Sequence, residues 1–170
     1  VNGVDDETIK RDILLAKNRG ADFTIVYMNW GSESQTSPNP NQVYLAKLCL
    51  EEGANMVLGT HPKAVQSSKV EDGLINGFFT KILVAYSLGD FISSSDSPLE
   101  NCGVILEVIL EKNKTSNVTF VNDIGFIPTF SGMYDNNGRA QCTILPVSQV
   151  EKNNVTVPIG ATEKQWMSGA

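Results

Sequence analysis

Residues 22–28 read Asp22-Phe23-Thr24-Ile25-Val26-Tyr27-Met28, and residues 55–59 read Asn55-Met56-Val57-Leu58-Gly59. Both are short apolar runs rich in β-branched and aromatic residues, the pattern of buried strands. Between them lie a polar stretch full of turn formers, Asn29 to Pro40, and an apolar-periodic run carrying Val43, Leu45, Ala46, Leu48, Cys49 and Leu50. The spacing predicts a loop and then a helix from about Asn41 to Gly53. Upstream, Asp5 and Asp6 precede Ile9, Ile13 and Leu14, and Gly20 closes the run, which predicts a helix over residues 6–18. Helix, strand, loop, helix, strand is the alternation of a parallel βαβ sheet with right-handed crossovers.

In such sheets ligands gather beyond the carboxyl ends of the strands. Three polar segments leave predicted strands at that end: 29–34, 60–63 and, after the strand Lys81 to Tyr86, residues 87–91. The second half changes character. Cys102 to Leu110, Asn117 to Ile127 and Gln141 to Val147 alternate like strands, with turn clusters at 113–116 and 135–138 and no helical pattern between them. Antiparallel pairing through short connections is expected there. The predicted class is therefore α/β, parallel βαβ units followed by an antiparallel β region. Residues 1–150 form the domain and 151–170 a tail.

The composition agrees with a globular domain. The chain has 170 residues, of which 41% are hydrophobic and 19% charged. With 13 Lys plus Arg against 19 Asp plus Glu the net charge is −6, and Lys10-Arg11 is the only adjacent basic pair. That balance disfavours a nucleic-acid partner, since backbone binding needs clustered cations. No apolar run approaches the length of a membrane span. Cys49, Cys102 and Cys142 are widely spaced and form neither a zinc signature nor a disulfide framework.

His61 is the single histidine, placed after a predicted strand with Pro62 fixing the backbone beside it. A Ser87-His61-Asp90 hydrolase is one reading, though no G-x-S-x-G elbow surrounds Ser87. There is no P-loop, G-x-G-x-x-G or H-E-x-x-H.

The three loops carry a resemblance. Ala21 to Glu33, Gly53 to Val65 and Tyr86 to Phe91 resemble successive motifs of the bacterial capsule synthesis proteins of the CapA type, associated with poly-gamma-glutamate capsule formation. That family resembles calcineurin-like metallophosphatases and has a layered αββα fold. Its pattern is a strand ending in His-Trp-Gly-x-Glu, one ending in Gly-x-His-Pro-His, then Tyr-Ser-Leu-Gly-Asn-Phe; order and spacing agree over about residues 5–148. The family's earlier motifs are not in this sequence, so the resemblance implies the C-terminal half of such a protein.

The resemblance implies a metal or catalytic role for His61 and Asn29, a catalytic role for Glu33, and substrate contacts for Trp30, Lys63, Ser87 and Asp90. It further implies a divalent metal (Mn, Fe or Zn) in the full-length protein, an anionic polymer or phosphoester as substrate, and a place in the cell envelope or outside the cell. Two departures are chemically pointed. Asn29 stands where the family has histidine, and a neutral amide oxygen ligates these metals less well than imidazole. Lys63 stands where the second histidine of His-Pro-His belongs, and an ammonium repels a dication. The departures imply a degraded metal site that does not hold a metal in this chain alone, or a binding module in which Lys63 supplies the positive charge. An incomplete layered fold also leaves a sheet edge and apolar faces open, so association with the missing half or with a second copy is expected.

Overall fold

The computed structural model describes residues 5–151 apart from Asn76 and Asp96, so most of the expected tail lies outside the described residues. Helix α1 spans Asp6–Asn18. The Asp5 carboxylate accepts from the Thr8 N–H at 2.9 Å, and Asp6 and Glu7 place negative charge in the first turn, where the helix dipole favours it. Helix α2 spans Pro40–Glu51 and opens with a capping box: Asn39 caps Gln42 and Gln42 caps Asn39 in return. Pro40 follows the cap, where its missing N–H costs nothing. The helix therefore starts slightly earlier than the apolar period alone indicates.

Strands β1 (Ile25–Asn29), β2 (Met56–Thr60), β3 (Ser68–Ile75) and β4 (Phe78–Ala85) form one sheet in the order β1-β2-β4-β3. β1, β2 and β4 are parallel, and β3 runs antiparallel to β4. The predicted parallel βαβ unit is present. The β3–β4 hairpin is a feature the sequence reading missed, and β4 starts at Phe78 rather than Lys81. The reason is physical: Glu71, Asp72 and Gly73 interrupt the apolar period, because β3 is an edge strand whose Val70 and Leu74 are themselves exposed.

The second sheet is antiparallel: β5 (Cys102–Asn113), β6 (Val118–Asp135) and β7 (Ala140–Pro146), in that order. Helix α3 (Val147–Glu151) follows it. β6 continues through Pro128 beyond the Ile127 end read from sequence. Pairing with β7 begins only at Thr129, so on that side Pro128 faces no neighbour that needs its missing N–H.

Side-chain alternation assigns the layers. Val57 and Val84 join Ile9 and Ile13 of α1, Leu45, Leu48 and Cys49 of α2, and Met28 and Trp30 in one core, so both helices cover the same face. Met56 and Leu83 point to the opposite face and meet Val121 of the second sheet, with Leu106, Val108 and Ile124 packed against them. The Val121 N–H also donates to Thr80 Oγ1 at 3.0 Å, tying sheet to sheet. Helices, parallel sheet and antiparallel sheet are thus three successive layers of an α/β sandwich, as expected.

Candidate functional site

The three parallel strands deliver their loops to one end of the molecule. Asn29 ends β1 directly beside Thr60, the last residue of β2, and Trp30 N–H donates to the Thr60 carbonyl at 3.2 Å. Ser34 N–H donates to the Pro62 carbonyl at 2.8 Å, so the first two loops are joined. The third is joined to the first by the Trp30 indole, which donates to the Tyr86 carbonyl, and by the Ser34 hydroxyl, which donates to Glu100. It is joined to the residues after the second by the Val65–Leu88 bridge and the Gln66 N–H, which donates to the Ser87 carbonyl.

Trp30 is 5% exposed, its indole N–H donates to the Tyr86 carbonyl at 2.8 Å, and its ring packs 6.0 Å from that of Tyr86. Ser87 is 1% exposed and its hydroxyl accepts from the Gly89 N–H at 3.2 Å. Both were expected to contact substrate; here both side chains are committed to the interior, locking the loops rather than facing a ligand. Gly59 lets this happen, because a Cβ there would collide with the Tyr86 carbonyl and the Trp30 indole.

The other expected residues lie at the surface. Lys63 Nζ is 2.9 Å from Glu33 Oε2. Asp90 and Glu100 lie near enough to act on the same ammonium electrostatically, so three carboxylates face one cation. The hydrogen bond to Glu33 raises the Lys63 pKa, reinforced by the carboxylate charges and opposed by partial desolvation. Burial raises the Asp90 carboxyl above its usual range; Lys63 pulls it back, while Glu100 and Glu33 push it up. Glu100 is held down by hydrogen bonds from Ser34 (2.6 Å) and Ser95.

His61 is exposed and has φ 97°; Lys63 has φ 61° and Ser34 φ 60°. Backbone in that region is costly for residues with a Cβ and persists where surrounding contacts hold it. Among the described residues, three of the five non-glycine residues in that region fall within two of the loops.

Sequence reasoning missed three members of this assembly. Glu100 arrives from a short 3-10 helix, Pro98–Asn101, far along the chain. Gln42 and Gln66 are buried at 1% and 3% exposure, and Gln42 Nε2 donates to Gln66 Oε1 at 2.8 Å. Gln66 Nε2 in turn donates to the carbonyls of Gln35 and Ser37, both at 3.0 Å, fastening the loop that carries Glu33. Gly31, at φ 77°, leaves the space the Gln42 amide fills. The Asn39-x-x-Gln42 capping box was a readable signal for one of the pair; nothing in the sequence marks Gln66.

The donor set can be tested against a metal. Among the described residues no three His, Cys, Asp or Glu side chains are grouped to hold an ion. An ammonium sits among the site's carboxylates instead. The described residues therefore do not fit a metal centre by themselves.

Residues 1–95 match the family model described as "Bacterial capsule synthesis protein PGA_cap". The chain is 29% identical over 100 residues to "Capsule biosynthesis protein CapA" of Bacillus anthracis, covering 59% of this chain and 22% of that protein. It is 28% identical over 95 residues to "PGA biosynthesis protein CapA" of Bacillus subtilis (strain 168), covering 56% of this chain and 23% of that protein. The matched stretch thus spans less than a quarter of either relative. The family match contains all three strand-end loops and more than half of the chain, and this chain belongs to the bacterial capsule synthesis family PGA_cap.

Proposed function

We propose that the full-length protein works in capsule biosynthesis at the bacterial cell envelope, on poly-gamma-glutamate or a phosphoester, and that the three strand-end loops are its working site. In this reading the fold is related to metal-dependent phosphoesterases, and the fixed ammonium of Lys63 takes over charge that a metal supplies in an intact relative. The observation that carries it is the Lys63 ammonium 2.9 Å from Glu33 and close to Asp90 and Glu100, at the position where the family pattern has histidine. Exposed ion pairs are weakly held, so a carboxylate or phosphate of the ligand can exchange with Glu33. Asn29 and His61 at the neighbouring strand ends would then orient it through hydrogen bonds.

The test is complementation of a capsule-deficient strain with the full-length protein. Lys63→Ala is expected to lose most surface polymer while Lys63→Arg keeps it; wild-type polymer from the alanine variant overturns the reading. Elemental analysis of the same protein is expected to find no stoichiometric Mn, Fe or Zn, and finding one overturns the charge-replacement part.

A second reading, a non-catalytic polymer- or protein-binding module, is favoured by the Lys63 ammonium paired with Glu33 at the strand ends, which suits holding an anion without turning it over. The burial of Ser87 argues against a serine-nucleophile hydrolase. Phosphoester turnover by the purified full-length protein, abolished by His61→Ala, separates a hydrolase from the binder.

A further inference from the structure

The turn between β5 and β6 carries chemistry that the strand-end site does not use. Asn113-Lys114-Thr115 and Asn117-Val118-Thr119 both fit the acceptor pattern for attachment of a sugar, an asparagine two places before a hydroxyl residue with no proline between. A third such tripeptide, Asn154-Val155-Thr156, lies outside the described residues.

The structure separates the first two. A transferase closes around the whole tripeptide, so each of its residues has to be reachable. Lys114 and Thr115 are exposed and belong to no strand, since β5 ends at Asn113 and β6 begins at Val118. In the second tripeptide Val118 is 7% exposed, and Val118 and Thr119 are paired in the ladder opposite Asn113 and Lys112. Gripping that one means unpairing the sheet. Asn113 also offers the atom the chemistry needs. Its Oδ1 accepts from the Thr115 and Ser116 N–H groups, both at 3.0 Å, which fixes the carboxamide on the turn. Among the described residues its Nδ2 forms no hydrogen bond.

The position suits a bulky addition. β5 starts at Cys102, and Gly103 bridges to Gly89 in the third strand-end loop. Asn113 closes the same strand, roughly 35 Å further along at the rise of an extended chain. Its neighbour Lys112 has Nζ 2.8 Å from Asp22 Oδ2, ahead of β1. The turn is therefore at the end of the molecule opposite Asn29, and a sugar there leaves the mouth of the site open.

We propose that Asn113 is a glycosylation site, taking its sugar from a donor whose anomeric carbon is bonded to a diphosphate. The bond from Nδ2 to the anomeric carbon forms and the bond from that carbon to the diphosphate oxygen breaks. The diphosphate leaves with the electron pair, and one Nδ2 proton passes to a base of the transferase. Such a donor is either a sugar nucleotide or a polyprenyl-diphosphate glycan. The inference is independent of the site chemistry proposed above.

The test is fragmentation mass spectrometry of the full-length protein taken from its native cells. The peptide containing Asn113 is expected to carry added sugar on that residue, a single sugar assigning the nucleotide donor and an oligosaccharide the polyprenyl one. Asn113→Asp keeps an oxygen for the two turn N–H groups but removes the amide nitrogen. It and Thr115→Val, made in the same cells, are expected to lose the sugar completely, while Thr115→Ser and Asn117→Gln keep it. Unmodified Asn113 in the wild-type protein overturns the proposal. So does sugar confined to Asn117 or Asn154, and so does sugar retained on Asn113 in the Thr115→Val variant.

Discussion

Asp90 is a carboxyl whose surroundings favour its neutral form, and the consequence for stability has a definite sign. With a folded-state pKa raised above the unfolded value of 3.8, its contribution is fully present below that value and is lost as pH rises through the folded pKa. Asp90→Asn is therefore expected to raise the melting temperature at pH 7 by about 2 °C and to change it little at pH 3, as read by calorimetry across pH. A gain at pH 3 as large as at pH 7 would contradict the burial argument. His61 offers a separate test. Its φ of 97° suits glycine, so His61→Gly is expected to keep or raise the melting temperature while complementation of capsule formation fails. A loss of stability would mean the imidazole is structural. At this scale the sequence revealed the strand-end positions of Asn29, Glu33, His61, Lys63 and Asp90, because each follows a run whose period marks a strand. It did not reveal that Glu33 would be spent on Lys63, nor that Glu100 would join them. Those contacts depend on how loops distant in sequence fold over one another, and Ser34 and Glu100 are 66 positions apart.

The loops are held by buried polar contacts rather than by apolar packing. Gln66 bridges Gln42 to the Gln35 and Ser37 carbonyls, and both glutamines are shut away from water. Gln66→Ala strands the Gln42 amide and two carbonyls, an expected loss of about 2–3 kcal/mol in denaturant unfolding, with faster amide exchange over residues 31–39. Unchanged exchange there would show that the loop is held by other means. Gly59→Ala is expected to cost at least about 3 kcal/mol, because the new methyl must displace either the β2–β4 backbone or the Trp30 indole. Elements were legible where amphipathic period and burial coincide, as in α1, α2, β1 and β2. β3 was not legible. It pairs along its full length with β4 yet buries little: Val70 and Leu74 are exposed, and Glu71, Asp72 and Gly73 between them break the apolar alternation that would announce a strand.

The whole molecule hangs on the seam between the two sheets. Met56 and Leu83 from the parallel sheet and Val121 from the antiparallel one are at most 2% exposed, and no covalent link reinforces them: Cys49, Cys102 and Cys142 are free thiols. Leu83→Ala is expected to cost about 3 kcal/mol, and far- and near-UV signals should still be lost in one shared transition, since either sheet alone leaves its inner face bare. Two separated transitions would mean that the sheets fold independently. The layered class was legible from element order, but which residues form the seam follows from strand register, which composition does not encode. Asn29 belongs at once to the last rung of an unfinished ladder and to the mouth of the site. A chain laid along that rung would arrive at the same opening.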